Sequence, residues 1–409
     1  MRLLYLVSAL ACVAPAVATI WENGQKRLNP YPPTGQATAL PTPIKTTDVG
    51  WRTYDASAPE IGYKGRWCSR RISWWAAPGV KFRYTGSKVA ITFGENTSNN
   101  VLLSWRVSGL PWNFANVTAN RSYQFVSETT QGLQAGQETI FEFHVTNWAL
   151  GVQMKAVHVA AGFAISSVPN YSRKIEMIGD SLTVGYTGTY EAMSGIGWSL
   201  CEGLGNVEYS LVAYKLCYGS TRGQLFQWQQ ASDSGVRAQQ VYGSNPAPWN
   251  FTTTQPADLV IINLGTNDIN YKQGTTAVPE STFQQNYIQL INDVRSKYPR
   301  AQIIAVQFWN GYTRSGNTYR QNPNRYQTAI QNAVNYFRNG GNNNVYYFDT
   351  TGILQFGDIN PKGHPTDVGY IKIAAHLMQF ISIRLGWSLG NTGQEVHSQA
   401  MYYNDNTSI

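Results

Sequence analysis

Two textures of hydrophobic residues divide the chain. From Trp51 to about Val168, short runs such as VKFRYTG, KVAITFG, VLLSWRVSG, SYQFVSE, TIFEFHVTN and MKAVHVAAGFAI are separated by Gly, Asn and Pro turns. Such runs, bounded by turn residues, predict short strands, and their spacing predicts an all-β sandwich or jelly roll over residues 49–168. Past Tyr171 the pattern changes. RKIEMIG, EYSLVAY, ADLVIINLG, AQIIAVQFW and NVYYFD are runs suited to strands buried on both faces. Helical periodicities lie among them. STFQQNYIQLINDVRSKY places Phe283, Tyr287, Ile291 and Val294 on one face, and NRYQTAIQNAVNYFRNGG ends in a glycine stop. TDVGYIKIAAHLMQFISIRLGW predicts a long final helix with Thr366 or Asp367 as its N-cap. Strands alternating with helices predict a parallel sheet covered on both faces, over residues 171–387.

The ends of the chain carry neither texture. Arg2, the apolar stretch Leu3 to Val13 and the small residues Ala16-Val17-Ala18 predict a cleaved secretory leader over residues 1–18. The apolar run is too short for a membrane anchor, and Pro15 interrupts it. Residues 19–48 are rich in Pro, Thr and Gly and predict an extended leader, while the polar residues 388–409 predict a loose tail. A secreted, extracellular protein without a membrane span is therefore expected. Six N-x-S/T sites, at Asn96, Asn116, Asn120, Asn170, Asn250 and Asn406, agree with an expected glycoprotein.

Composition narrows the class. Hydrophobic residues are 43% and charged residues 13%, which is globular rather than disordered. The net charge of +8 comes without a basic run or nucleic-acid motif, so no nucleic-acid partner is expected; simple solubility is the plain reading of the charge, and attraction to acidic cell-wall polysaccharide a sharper but weaker one. Cys68, Cys201 and Cys217 remain after leader cleavage, and the close pair Cys201–Cys217 is the expected disulfide, with Cys68 unpaired and buried. No cysteine or histidine spacing resembles a metal site, so neither metal nor cofactor is expected. A monomer is expected.

The candidate chemistry sits at strand ends, where open parallel sheets gather reactive groups. KIEMI runs into Gly179-Asp180-Ser181, a serine in a tight turn before a helix, with its hydroxyl exposed near amide donors. EYSLVAY runs on toward Gly219, whose backbone can approach a ligand closely. DLVIINLG delivers Gly265-Thr266-Asn267-Asp268, where an Asn amide can donate to developing negative charge. GHPTDVGY precedes the last helix and offers His364 as a base. His144, His158, His376 and His397 suit structural or solvated roles, and Asp268 suits bracing its loop. Trp309, after the fourth strand, is a candidate wall for a sugar-binding cleft or a core residue.

The blocks IGDSLTVGY, NLGTND and GHPTDVGY, in that order, resemble those of the SGNH (GDSL) hydrolases over residues 173–387. The resemblance implies a flavodoxin-like three-layer α/β/α domain. In it Ser181 is the nucleophile, His364 the general base, and the amides of Ser181 and Gly219 with the Asn267 side chain form the oxyanion hole. A β-sandwich directly before such a domain resembles carbohydrate esterase family 2, whose members remove acetyl groups from plant polysaccharides. That implies a serine esterase acting on acetylated xylan or mannan. A lipid or small-ester hydrolase is the alternative within the class, and a catalytically silent glycan-binding protein the alternative outside it. Many SGNH enzymes carry Asp three residues before the histidine; here that residue is Pro361. Either a main-chain carbonyl holds the imidazole, making a Ser–His dyad, or Asp358 reaches it. A carbonyl can fix the tautomer without supplying the charge of a carboxylate.

Overall fold

In a computed structural model, the described residues are 20–22, 25–27, 40–45, 48–108, 110, 112–130, 133, 136–148, 150–213, 223–232, 236–243, 246–269, 277–309, 311–360, 363–389 and 400–401. The expected secretory leader, Gly219, Cys217, His397 and Asn406 lie outside them. Two units are distinguished. In one, Ile20–Glu22 pairs antiparallel with Gln25–Arg27 and with Ala400–Met401. The other spans Tyr31–Val396.

The larger unit begins with a sandwich of two antiparallel sheets. One runs in the order Asn113–Val117, Val101–Val107, Thr139–Val145, Gly79–Tyr84, Ile165–Ser166. The other runs Leu40–Pro41, Ser122–Val126, Val89–Phe93, Val152–Ala160, Trp51–Asp55. Leu40–Pro41, in the stretch read as an extended leader, therefore pairs with the sandwich. Both sheets feed one core, in which Phe82, Phe93, Phe125, Phe141 and Phe143 are buried.

The parallel sheet follows, with strands β1 Arg173–Gly179, β2 Val207–Ala213, β3 Leu259–Asn263, β4 Gln302–Val306 and β5 Val345–Phe348. Their order is β2-β1-β3-β4-β5, all parallel. The chain reverses its direction of winding at β1, and the crevice beyond the carboxyl ends of β1 and β3 is where such sheets hold ligands. Helices α1 Ile196–Leu204 and α4 Asp367–Leu385 pack on each other, as do α2 Glu280–Lys297 and α3 Gln327–Asn339. Helix α2 buries Phe283, Tyr287, Ile291 and Val294, the stripe its periodicity predicts, and Leu290 beside them. Thr366 caps α4, its hydroxyl accepting from the Gly369 amide at 3.2 Å. Among the described residues no helix is long and apolar enough to cross a membrane.

The sandwich and the sheet are joined by a buried charge. Arg66, between two sandwich strands, places its guanidinium 2.7 Å from Glu176 of β1 and also donates to the carbonyls of Trp228 and Gln230. Burial alone would raise the Glu176 carboxyl, but Arg66 and Lys174 outweigh it and hold the group below its ordinary value.

One expectation is corrected. Cys201 is a free thiol, not half of a disulfide with Cys217. It lies on the inner face of α1, packed in the apolar cluster that covers β1 and β2, and burial raises its thiol well above the ordinary value. Cys68 is likewise free and buried, its Sγ 2.9 Å from the Tyr242 hydroxyl.

Candidate active site

The turn that carries Ser181 is built by close packing. After β1 the chain bends at Asp180, whose main-chain oxygen accepts from the Thr183 and Val184 amides. Gly179 permits this, because a Cβ there would lie 2.0 Å from Thr183 Oγ1. Ser181 emerges half-buried from the bend, with its Oγ 2.9 Å from His364 Nε2. That is hydrogen-bonding distance for proton transfer from a nucleophile to a base.

Asn267 reaches the same turn. Gly265 brings the chain off β3 with φ +131, and a Cβ at that position would strike Phe308 at 2.4 Å. The short helical turn Thr266–Ile269 follows, and Asn267 Nδ2 donates to Asp180 Oδ2 at 3.3 Å. This holds the amide beside the residue preceding Ser181. Burial pushes the Asp180 carboxyl up to about 7, against the Leu182 amide and Asn267, which favour its charged form. Asp268 is buried, and its carbonyl accepts from the Val278 amide, which anchors the loop.

The histidine loop is pinned by residues that the sequence reading did not single out. Asn360 accepts the His364 amide on Oδ1 at 3.3 Å, while its own amide donates to the His364 carbonyl at 2.8 Å. Its Nδ2 donates to Thr187 Oγ1, in the loop that follows the nucleophile. One asparagine thus ties the loop of His364 to the loop that follows Ser181. Asp358, the candidate acid, faces elsewhere: Lys372 Nζ lies 2.9 Å and 2.8 Å from its two oxygens, and Oδ2 also accepts from the Gln355 amide.

An aromatic wall borders the imidazole. Tyr186 meets His364 edge-on at 5.2 Å, and Trp148 meets Tyr186 at 4.8 Å. Trp148 belongs to the sandwich; its amide donates to Glu191 at 2.8 Å, so the sandwich contributes directly to the site. Beside the reacting pair lies a cavity of about 570 Å³ whose lining includes Leu182, Thr266, Trp309, Arg325 and Gly363. Trp309 is buried in the core and also lines the cavity. The remaining described histidines lie outside this set. His144 and His158 are buried in sandwich strands, and burial lowers each to about 4. His376 is on α4.

A hydroxyl poised on an imidazole, beside a positioned amide and an open cavity, is equipped for acyl transfer. Residues 177–371 match the GDSL-like lipase/acylhydrolase family. The chain is 25% identical over 373 residues to the cellulase/esterase CelE of Acetivibrio thermocellus, an alignment that takes in 82% of this chain and 41% of that protein. It spans about two fifths of that relative's length. In fold it is similar to an acetyl xylan esterase from the rumen bacterium Butyrivibrio proteoclasticus, with TM-score 0.66 and 18% identity over 83% of this chain and 99% of the other. It is also similar to a family two carbohydrate esterase from Clostridium thermocellum solved with cellohexaose, with TM-score 0.64 and 20% identity over 80% of this chain and 99% of the other.

Proposed function

We propose, from the premise that this chain belongs to the SGNH (GDSL) hydrolases, that it is a secreted serine esterase removing O-acetyl groups from plant cell-wall polysaccharide. The observation that carries this reading is the 2.9 Å contact between Ser181 Oγ and His364 Nε2 at the carboxyl end of the sheet. Ser181 attacks the acetyl carbonyl while His364 takes its proton. The carbonyl π electrons move onto oxygen, where Asn267 and main-chain amides donate to the charge. Collapse expels the sugar alkoxide, which leaves with the proton from His364, and water then hydrolyses the acetyl-serine by the same route.

The similarity to a carbohydrate esterase bound to cellohexaose supports a glycan, and the similarity to an acetyl xylan esterase supports acetyl as the group removed. The commitment of both Asp358 oxygens to Lys372 supports a Ser–His dyad in which a main-chain carbonyl orients the ring. Acetate release from acetylated xylan and glucomannan tests the reading. Wild type should release acetate and Ser181→Ala should not. Glycan binding without acetate release, or preference for long-chain acyl esters, would overturn it.

A further inference from the structure

From Asn310 to Phe348 the chain contains Arg314, Arg320, Arg325 and Arg338 and not one Asp or Glu. This stretch begins directly after Trp309, in the wall of the catalytic cavity, and its first part folds as a hairpin that the strand pattern did not predict. Tyr312–Ser315 pairs antiparallel with Thr318–Gln321. Tyr312 donates its hydroxyl to the Leu354 carbonyl, the Gly352 amide donates to Gln321 at 3.3 Å, and Asn324 donates to Thr351 at 2.6 Å. The hairpin is therefore seated on the segment leading into the histidine loop.

Cross-strand register sets Arg314 opposite Tyr319, so both project from one face. On that face Tyr319 stacks on Phe356 with ring centroids 3.5 Å apart and planes within 5°. The two rings are 44% and 45% exposed, an unusual state for aromatic rings already packed on each other. Arg314, Arg320 and Arg325 are exposed, and none forms an ion pair among the described residues. Arg325 also lines the catalytic cavity. Exposed guanidinium groups and a flat aromatic platform thus form a strip along the hairpin, with Arg325 at the cavity that Leu182 and Gly363 also line. Flat rings suit the C–H faces of sugars, and unpaired guanidinium groups suit carboxylates.

We propose that this strip is a subsite for uronic-acid residues, so that the enzyme prefers acetylated polysaccharide carrying carboxylates over neutral polysaccharide. The proposal rests on the reading of the protein as a polysaccharide esterase. Arg325 meets a carboxylate near the scissile ester, Tyr319 and Phe356 support the chain, and Arg314 meets a carboxylate farther along it.

The test compares acetate release from acetylated glucuronoxylan with release from the same polymer after its carboxyl groups are reduced to alcohols. Wild type should show about tenfold higher kcat/KM on the unreduced polymer at low salt, the worth of one charged hydrogen bond, expressed in KM. That ratio should shrink toward one at high salt, and in the double variant Arg314→Gln/Arg325→Gln. The ratio is the readout, so a general loss of activity in the variant does not imitate the effect. A ratio near one for wild type, or a ratio unchanged in the variant, would overturn the subsite. Wild-type turnover of p-nitrophenyl acetate, which carries neither sugar nor carboxylate, tests the esterase reading separately. Turnover of that ester with equal rates on both polymers removes the subsite alone; no turnover of any of the three removes both.

Discussion

Asp358 lies six residues before His364, the proposed base, near enough in sequence to be its acid, yet Lys372 claims both of its oxygens. Nothing in the sequence around Asp358 announces that pairing, because Lys372 comes from the second turn of α4 and meets it only once the loop has folded. Kinetics should separate the two roles. Asp358→Asn should keep kcat/KM within about tenfold of wild type, whereas His364→Ala should lose about 10⁴ or more. A comparable loss in both variants would return Asp358 to the catalytic set. Asn267→Ala should lose about 10²–10³ in kcat, as removal of one oxyanion donor does, with little change in KM. The serine, the asparagine and the histidine were legible because each sits in a short block with its own glycine or proline. Asn360 was not, since an asparagine four residues before a histidine has no signature until its side chain bridges two loops.

The strands of the parallel sheet were legible because their runs are mostly apolar, LVIIN and QIIAV most clearly, although β1 carries Glu176 and β2 Glu208. Asn113–Val117 was missed because NFANV mixes polar and apolar residues without a clean alternation, although it pairs along its whole length with Val101–Val107. The hairpin after Trp309 was missed because its strands are exposed and polar, and its pairing owes more to the Ser315-Gly316-Asn317-Thr318 turn than to any buried face. Helix α4 makes the strongest local case, with a threonine cap at its start and Gly386 at φ +68 past its end. Thr366→Ala should lower stability by about 1 kcal/mol in denaturant unfolding. Because the cap follows His364 by two residues, the same change should also lower kcat more than it raises KM. An unchanged kcat would mean that the histidine loop keeps its shape without the cap.

The sandwich is part of the catalytic body rather than an appended module. Trp148 reaches the aromatic wall beside His364, and Arg66 enters the sheet to pair with Glu176. Removing one partner of such a buried pair leaves the other uncompensated, so Arg66→Met should destabilise the fold by about 3–5 kcal/mol. Urea unfolding measures this, and a loss under 1 kcal/mol would mean that the sheet tolerates Glu176 without its cation. Acid should act through the sandwich. Burial holds His144 and His158 at about 4 against an ordinary 6.5, so the unfolded chain takes up protons first. Their contribution to stability is complete above pH 6.5 and is lost as pH falls toward 4. Asp180, raised to about 7, works in the opposite sense, losing its contribution as pH rises from 3.8 toward 7. The two histidines act together on the acid side, so Tm should fall below pH 6.5, less steeply in His158→Gln. Attack by Ser181 on an ester would leave the acyl group on its own oxygen. Acid-quenching the enzyme during turnover of an activated acetyl ester, followed by peptide mass analysis, reports where the acetyl group rests. A single acetyl group is expected on the peptide containing Ser181, and none in Ser181→Ala. Turnover that persists in that variant, or an acetyl group carried by another residue, would contradict it.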